Sequence, residues 1–170
     1  REIEESNRLG LLLIDELIDK VREDLGEAWT PRPIRGFRMW RVQPGGIFGA
    51  TGIRWRTPTM EATCLREIHG EDLPHRESRC GPPPCGIYTT KRIEILSQTG
   101  GWLKRDQAVG VVEMTGKVVE HDSGYRAARA RVVAVAVRWA MRSLMTADPT
   151  VIEELFADTL NTINTHGTRG

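Results

Sequence analysis

The chain has 170 residues, a formal net charge of +1 and a hydrophobic fraction of 39%. These values are typical of one soluble globular domain, and they exclude the broad basic field of a dedicated nucleic-acid-binding protein. No apolar run is long enough to cross a bilayer, so we expect a cytoplasmic protein without membrane contact.

Residues 2 to 25 are predicted to form an amphipathic helix that ends at Gly26. The apolar residues recur at four-residue intervals, at Leu9, Leu13, Leu17 and Val21. This apolar stripe has two interpretations: it packs on the protein's own sheet, or one edge of it meets a second copy and forms a homodimer. The sequence does not separate them.

From Gly36 onward the pattern is that of β-strands. Residues 37 to 42 alternate between two faces, a turn follows, and a second short strand is predicted over residues 53 to 56. Arginine and tryptophan occupy neighbouring positions there, above all at Arg54 and Trp55. The interpretations are ordinary packing of arginine stems on rings, or a surface that binds a nucleic acid or an anionic ligand.

Residues 64 to 88 hold all three cysteines and two of the four histidines. The segment is too rich in Pro, Gly and charge to order itself by a packed core, so we expect a metal ion to hold it. Thiolates and imidazoles are ligands that Zn²⁺ prefers. The proposed ligands of a closed structural site are Cys64, His75, Cys80 and Cys85.

The sequence does not decide which histidine is the ligand or whether a metal is bound at all. His69 is the alternative to His75 as the histidine ligand. The competing interpretations are buried cysteines without a metal, one disulfide with a cysteine left over, and a mobile loop. Gly86, directly after Cys85, is expected to allow a turn that a Cβ atom would obstruct.

The second half of the chain is predicted to form a strand, a long hairpin and a helix. The strand covers residues 86 to 96, and the hairpin covers 108 to 137 with its turn at 122 to 124. In the returning strand the even-numbered residues through Ala136 share one face, and the far half is apolar on both faces. Residues 139 to 147 are ambiguous. Asp148 and Pro149 predict the start of a C-terminal helix.

Four short segments occur in a recognisable order: W-R-V at 40–42, A-T-C-L at 62–65, C-G-I-Y at 85–88 and G-K-V-V-E-H-D-S-G-Y-R-A at 116–127. This order resembles a family of small uncharacterised actinobacterial and actinophage proteins, over roughly residues 36 to 130. The resemblance implies no activity. The chain departs from the family in having C-G-P-P-P-C in place of C-x-C, which lengthens the ligand spacing, and Thr115 where the family often has Trp.

Glu120, His121 and Arg126 lie at the tip of the predicted hairpin. A carboxylate, an imidazole and a guanidinium can serve as an acid, a base and an anion clamp. The structural interpretation instead pairs Arg126 with Glu120 across the turn, while His121 caps the hairpin or packs on Tyr125. No phosphate-loop, dinucleotide-binding, nucleophile-elbow or zinc-protease motif is present.

These patterns predict one α+β domain over residues 1–170. It would consist of an N-terminal helix (1–26), a small bent antiparallel sheet or partly open β-barrel (36–138) and a C-terminal helix (148–165), with a zinc-stapled loop.

The leading functional prediction is a non-enzymatic module that binds a macromolecule, protein or nucleic acid, through Arg54, Trp55 and the hairpin tip. The alternative is a small-ligand-binding or hydrolytic enzyme with a barrel-mouth pocket around Glu120, His121 and Arg126.

Overall fold

The computed structural model describes Ile14 and residues 33–64, 73–75, 84–97 and 106–169. The predicted helix over residues 2–25 lies outside this part of the chain except at Ile14, which is helical and buried. Ile14 packs in one cluster with Ile93, Val109 and Ala136, so at this residue the apolar stripe covers the protein's own sheet. The predicted homodimer depends on residues outside the described part.

Most of the described residues form strands of one sheet. The strands are β1 (Ile34–Gln43), β2 (Gly46–Phe48), β3 (Arg54–Trp55), β4 (Thr59–Glu61), β5 (Ile87–Thr90), β6 (Gln107–Glu120), β7 (Gly124–Trp139), β8 (Arg142–Thr146) and β9 (Thr168–Arg169). Three short helices are α1 (Ile93–Ser97), α2 (Pro149–Ala157) and α3 (Thr159–His166). The described strand pairs are antiparallel, as predicted.

Four of these strands form a partial ring. β6 pairs with β1 and β7, while β5 pairs with β7 and meets β1 at a single residue pair, Phe37 with Thr90. Thr89 of β5 lies against Gly36 of β1 and Gly124 of β7, where a Cβ atom on either glycine would overlap it. Two glycines inside strands therefore provide the space in which β5 joins its neighbours.

The long hairpin of β6 and β7 is confirmed, but its faces change partway along. Val111 pairs with Ala134 and Val112 pairs with Val132, so Val133 is an extra residue in β7. A bulge of this kind shifts the alternation of side chains by one residue. Even-numbered residues before the bulge and odd-numbered residues after it therefore share the main core, which corrects the prediction of one continuous even-numbered face.

The main core lies between the sheet and the two C-terminal helices. The helices contribute Ile152, Leu155, Phe156 and Ile163 to it. Trp40 and Trp55 meet edge to face with their ring centroids 5.3 Å apart, and the ring of Phe156 lies 6.0 Å from that of Trp40. Such aromatic pairs contribute about 0.5 to 1.5 kcal/mol beyond the burial of their area, so they anchor α2 on the sheet.

The C-terminal helix begins as predicted but is interrupted. The carboxylate of Asp148 accepts a hydrogen bond from the Thr150 amide at 2.9 Å, and Pro149 occupies the first turn of α2. Asp158 leaves the helical conformation, and α3 then continues to His166. The predicted single helix is therefore two consecutive short helices.

Residues 93–97 form a helix, which corrects the predicted strand over residues 86 to 96. The strand ends at Thr90, and the chain turns into α1. The physical reason is the three-residue spacing of Ile93 and Leu96, which places both side chains on one helical face against the cluster that contains Ile14.

Glu113 on β6 lies between two arginines. Its carboxylate accepts hydrogen bonds from Arg35 of β1 at 2.7 Å and from Arg131 of β7 at 2.8 Å, and its side chain is 9% exposed. Burial raises the pKa of Glu113, but the hydrogen bonds from Arg131 and Arg35 outweigh it and leave the pKa below its ordinary value. The ionised carboxylate therefore stabilises the junction of three strands.

Glu113→Gln is expected to lower the free energy of unfolding by about 2 kcal/mol at neutral pH, because two arginines lose a charged acceptor. The pKa of Glu113 is lower in the folded protein than in the unfolded chain, where it is about 4.3. The stabilisation is therefore complete above the pKa of the unfolded chain, and it is lost as the pH falls through the pKa of the folded protein. Urea unfolding at neutral and acid pH measures the difference. The control is Glu61→Gln, which removes only an exposed pair with Arg129. Equal losses in both variants, or a loss that persists in acid, would contradict this account.

Candidate metal centre

Two strands that pair with β7 bring the cysteines together. β4 pairs with the middle of β7, and β5 pairs with its first four residues. Cys64 lies three residues after β4, and Cys85 lies two residues before β5. Both cysteines are half-buried.

His75 completes a cluster with the two cysteines. One ligand atom from each of Cys64, His75 and Cys85 lies within 4.8 Å of the other two. His75 is fully buried, its Nδ1 lies 3.4 Å from the Cys85 Sγ, and its backbone amide donates to the same sulfur at 3.2 Å. The three side chains can therefore hold a metal ion. Cys80 and His69 lie outside the described residues.

The turn after Cys85 needs a glycine, as predicted. Gly86 has a φ of +128°, a conformation that residues with a side chain rarely adopt. A Cβ atom there would lie 3.0 Å from the Cβ atoms of both Pro74 and Arg126. This close approach lets the segment before His75 pack directly on β7.

Arg126 connects the two ligand segments, which are the stretches of chain that carry His75 and Cys85, to β7. Its side chain is 0% exposed, and its NH1 donates to the carbonyl of Cys85 at 2.7 Å and to that of His75 at 3.0 Å. Its Nε donates to the Nε2 of His121 at 2.8 Å. No carboxylate of the described residues pairs with Arg126, so its positive charge is buried among neutral acceptors, which are two backbone carbonyls and a ring nitrogen.

The three polar residues predicted at the hairpin tip do not form one group. Glu120 is exposed and accepts from Lys91 at 2.7 Å, and this hydrogen bond lowers its pKa. His121 accepts from Arg126 at Nε2, which engages the lone pair that a general base would use. The structure thus replaces the predicted pair of Arg126 with Glu120 by two separate pairs.

Arg54 and Trp55 also do not form the exposed surface that the sequence suggested. Trp55 is 2% exposed and belongs to the main core, because β3 pairs with β2 and turns the ring towards Trp40. Arg54 is half-buried and donates to the carbonyl of Ala157 at the end of α2, at 3.5 Å. Of the two, only Arg54 is accessible to a partner.

Sequence reasoning missed the burial of Arg126 and the partial burial of Arg38, although a signal for both was present. In β7, Arg126 has the same even numbering as the core residues Ala130 and Val132. In β1, Arg38 alternates in step with the core residue Trp40. Period-two alternation therefore places both arginines on core-facing sides of their strands.

Comparisons with known proteins leave the chain without an assigned relative: no family model, no curated protein and no solved structure matches it. The resemblance to the actinobacterial and actinophage family therefore stays a prediction. Among the helices in the described ranges, none is both long enough and apolar enough to cross a membrane.

Arg126→Met is expected to lower the free energy of unfolding by about 3 kcal/mol, because the buried carbonyls of His75 and Cys85 lose their donor. Chemical denaturation measures the loss. The control is Arg129→Met on the same strand, whose exposed pair with Glu61 is worth at most about 1 kcal/mol. A similar small loss in both variants would show that Arg126 does not hold the ligand segments.

Proposed function

We propose that this chain is a non-enzymatic binding module built around a structural zinc ion. The proposed ligands are Cys64, His75, Cys80 and Cys85. The observation that carries the proposal is the convergence of Cys64, His75 and Cys85, whose ligand atoms lie within 4.8 Å of one another. Thiolate and imidazole form a soft ligand set that favours Zn²⁺ over Mg²⁺ or Ca²⁺.

The spacing of the ligand atoms supports a tetrahedral site. With a Zn–S bond of about 2.3 Å and a Zn–N bond of about 2.0 Å, a sulfur and a nitrogen on one tetrahedral ion lie about 3.5 Å apart. The Sγ of Cys85 and the Nδ1 of His75 are 3.4 Å apart. The amide of His75 donates to the same sulfur, which stabilises a thiolate over a thiol.

The buried charge of Arg126 supports a third cysteine ligand. A zinc ion with two thiolates and a neutral imidazole has no net charge, whereas a third thiolate gives the centre one net negative charge. A buried cation without compensation is costly. Because Arg126 bonds to the carbonyls of two ligand residues, an anionic centre beside it offsets its charge. This favours Cys80 as the fourth ligand.

A centre with four protein ligands has no open position for a substrate or water, so its role is structural. It would connect the segment after β4 to the segment before β5, and Arg126 connects the segments of His75 and Cys85 to β7.

The partner in this proposal is a macromolecule, protein or nucleic acid, which contacts the accessible residues Arg54 and Glu120. Because the net charge is only +1, binding to a nucleic acid would depend on local arginines and would weaken with salt.

Protein prepared without a polyhistidine tag is expected to contain about one zinc ion per chain by elemental analysis. Cys85→Ser is expected to lose the metal and to unfold at a lower denaturant concentration, because metal binding contributes to folding. Cys80→Ser is expected to do the same.

The matched control is His166→Ala, which changes an exposed histidine of α3 that pairs only with the surface residue Glu154. This variant is expected to keep its zinc. A folded, metal-free wild-type protein would remove the proposal. Zinc retained by Cys80→Ser but lost by Cys85→Ser would keep the centre and reject Cys80 as a ligand.

A further inference from the structure

Described residues beside the metal centre line an open cavity of about 590 Å³. Its polar walls include Arg38, Tyr88, His121 and Tyr125, and its apolar walls include Phe37 and Leu96. Pro84, which precedes Cys85, also lines it, so the metal centre adjoins one side of the cavity. The volume is within the range of about 300 to 1,000 Å³ that is usual for small-molecule sites.

Among the described residues that line this cavity, Arg38 is the arginine. Its NH1 donates to the carbonyl of Tyr88 at 2.8 Å, and its guanidinium carbon lies 5.0 Å from the ring centroid of Trp55 and 5.9 Å from that of Trp40. Burial lowers the pKa of Arg38 to about 10, so the side chain is still charged at neutral pH. The two rings hold the guanidinium in place by cation–π contact.

Among the residues that the structure describes, none provides a counter-ion for the charge of Arg38. No described carboxylate forms an ion pair with it, and its buried Nε has no hydrogen-bond partner. The described lining residues of the cavity include no Asp or Glu. A cation in partly apolar surroundings without an anion is energetically costly, and a bound anion would offset that cost.

We propose that this cavity binds a small organic oxyanion, a carboxylate or a phosphate monoester, with Arg38 as its cationic contact. A guanidinium presents paired N–H donors that match the oxygens of both groups. The apolar part of the ligand would lie against Phe37 and Leu96, and the phenolic rings of Tyr88 and Tyr125 provide flat surfaces for a planar group. This site goes beyond the proposed zinc centre and uses none of its ligands.

The experiment compares three probes of similar shape on zinc-loaded protein with its metal content measured: benzoate, phenyl phosphate and the uncharged benzamide. Tryptophan fluorescence reports binding, because Trp40 and Trp55 flank Arg38. At least one anion is expected to bind about tenfold more tightly than benzamide, as charge-assisted hydrogen bonds require. The tighter of the two anions identifies the carboxylate or the phosphate as the preferred group.

Arg38→Met is expected to remove the preference for the anions, while the control Arg41→Met, which changes an exposed arginine of the same strand, keeps it. If Arg38→Met does not fold, the Nε–H resonance of Arg38 in the wild-type protein decides: it should shift with the anion and not with benzamide. Equal binding of all three probes, binding of none, a preference that survives Arg38→Met, or an unshifted resonance would overturn the proposal. Because zinc content is measured separately, these results are independent of the metal centre.

Discussion

The buried guanidinium of Arg126 is the constraint on which the candidate centre depends. Arg126 has no exposed surface, and it donates to the carbonyls of His75 and Cys85 and to the ring of His121. The desolvation of such a charge costs several kcal/mol unless its surroundings compensate for it. Metal binding requires the cysteines as thiolates, and a centre with three thiolates would carry one net negative charge that offsets the charge of Arg126.

The rest of the fold holds Arg126 in this position. The β6–β7 hairpin presents it, and β5 can lie beside β7 because Gly36 and Gly124 leave room for Thr89. In the main core, the rings of Trp40 and Phe156 pack together and attach the C-terminal helices to the strands. The partial ring of strands is therefore held mainly by apolar packing, together with the ion pairs of Glu113. The short segments around the cysteines are held by polar contacts.

Local patterns predicted the elements of the fold better than the faces of its strands. Asp148 and Pro149 identified the start of α2, because capping depends on neighbouring residues alone. The bulge at Val133 and the burial of Trp55 depend on strand pairing, which period-two alternation does not reveal. For the centre, ligand chemistry predicted the meeting of Cys64, His75 and Cys85. The contacts of Arg126 with both ligand segments were not predictable, because they join residues 41 and 51 positions apart.

The central claim is that an anionic zinc centre lies against Arg126. X-ray absorption at the zinc edge, on untagged full-length protein, tests it most directly because it counts the ligand atoms around the metal. The account predicts three sulfur ligands at about 2.3 Å and one nitrogen ligand at about 2.0 Å. A shell made only of nitrogen and oxygen atoms, or a protein that folds fully without bound metal, would contradict it.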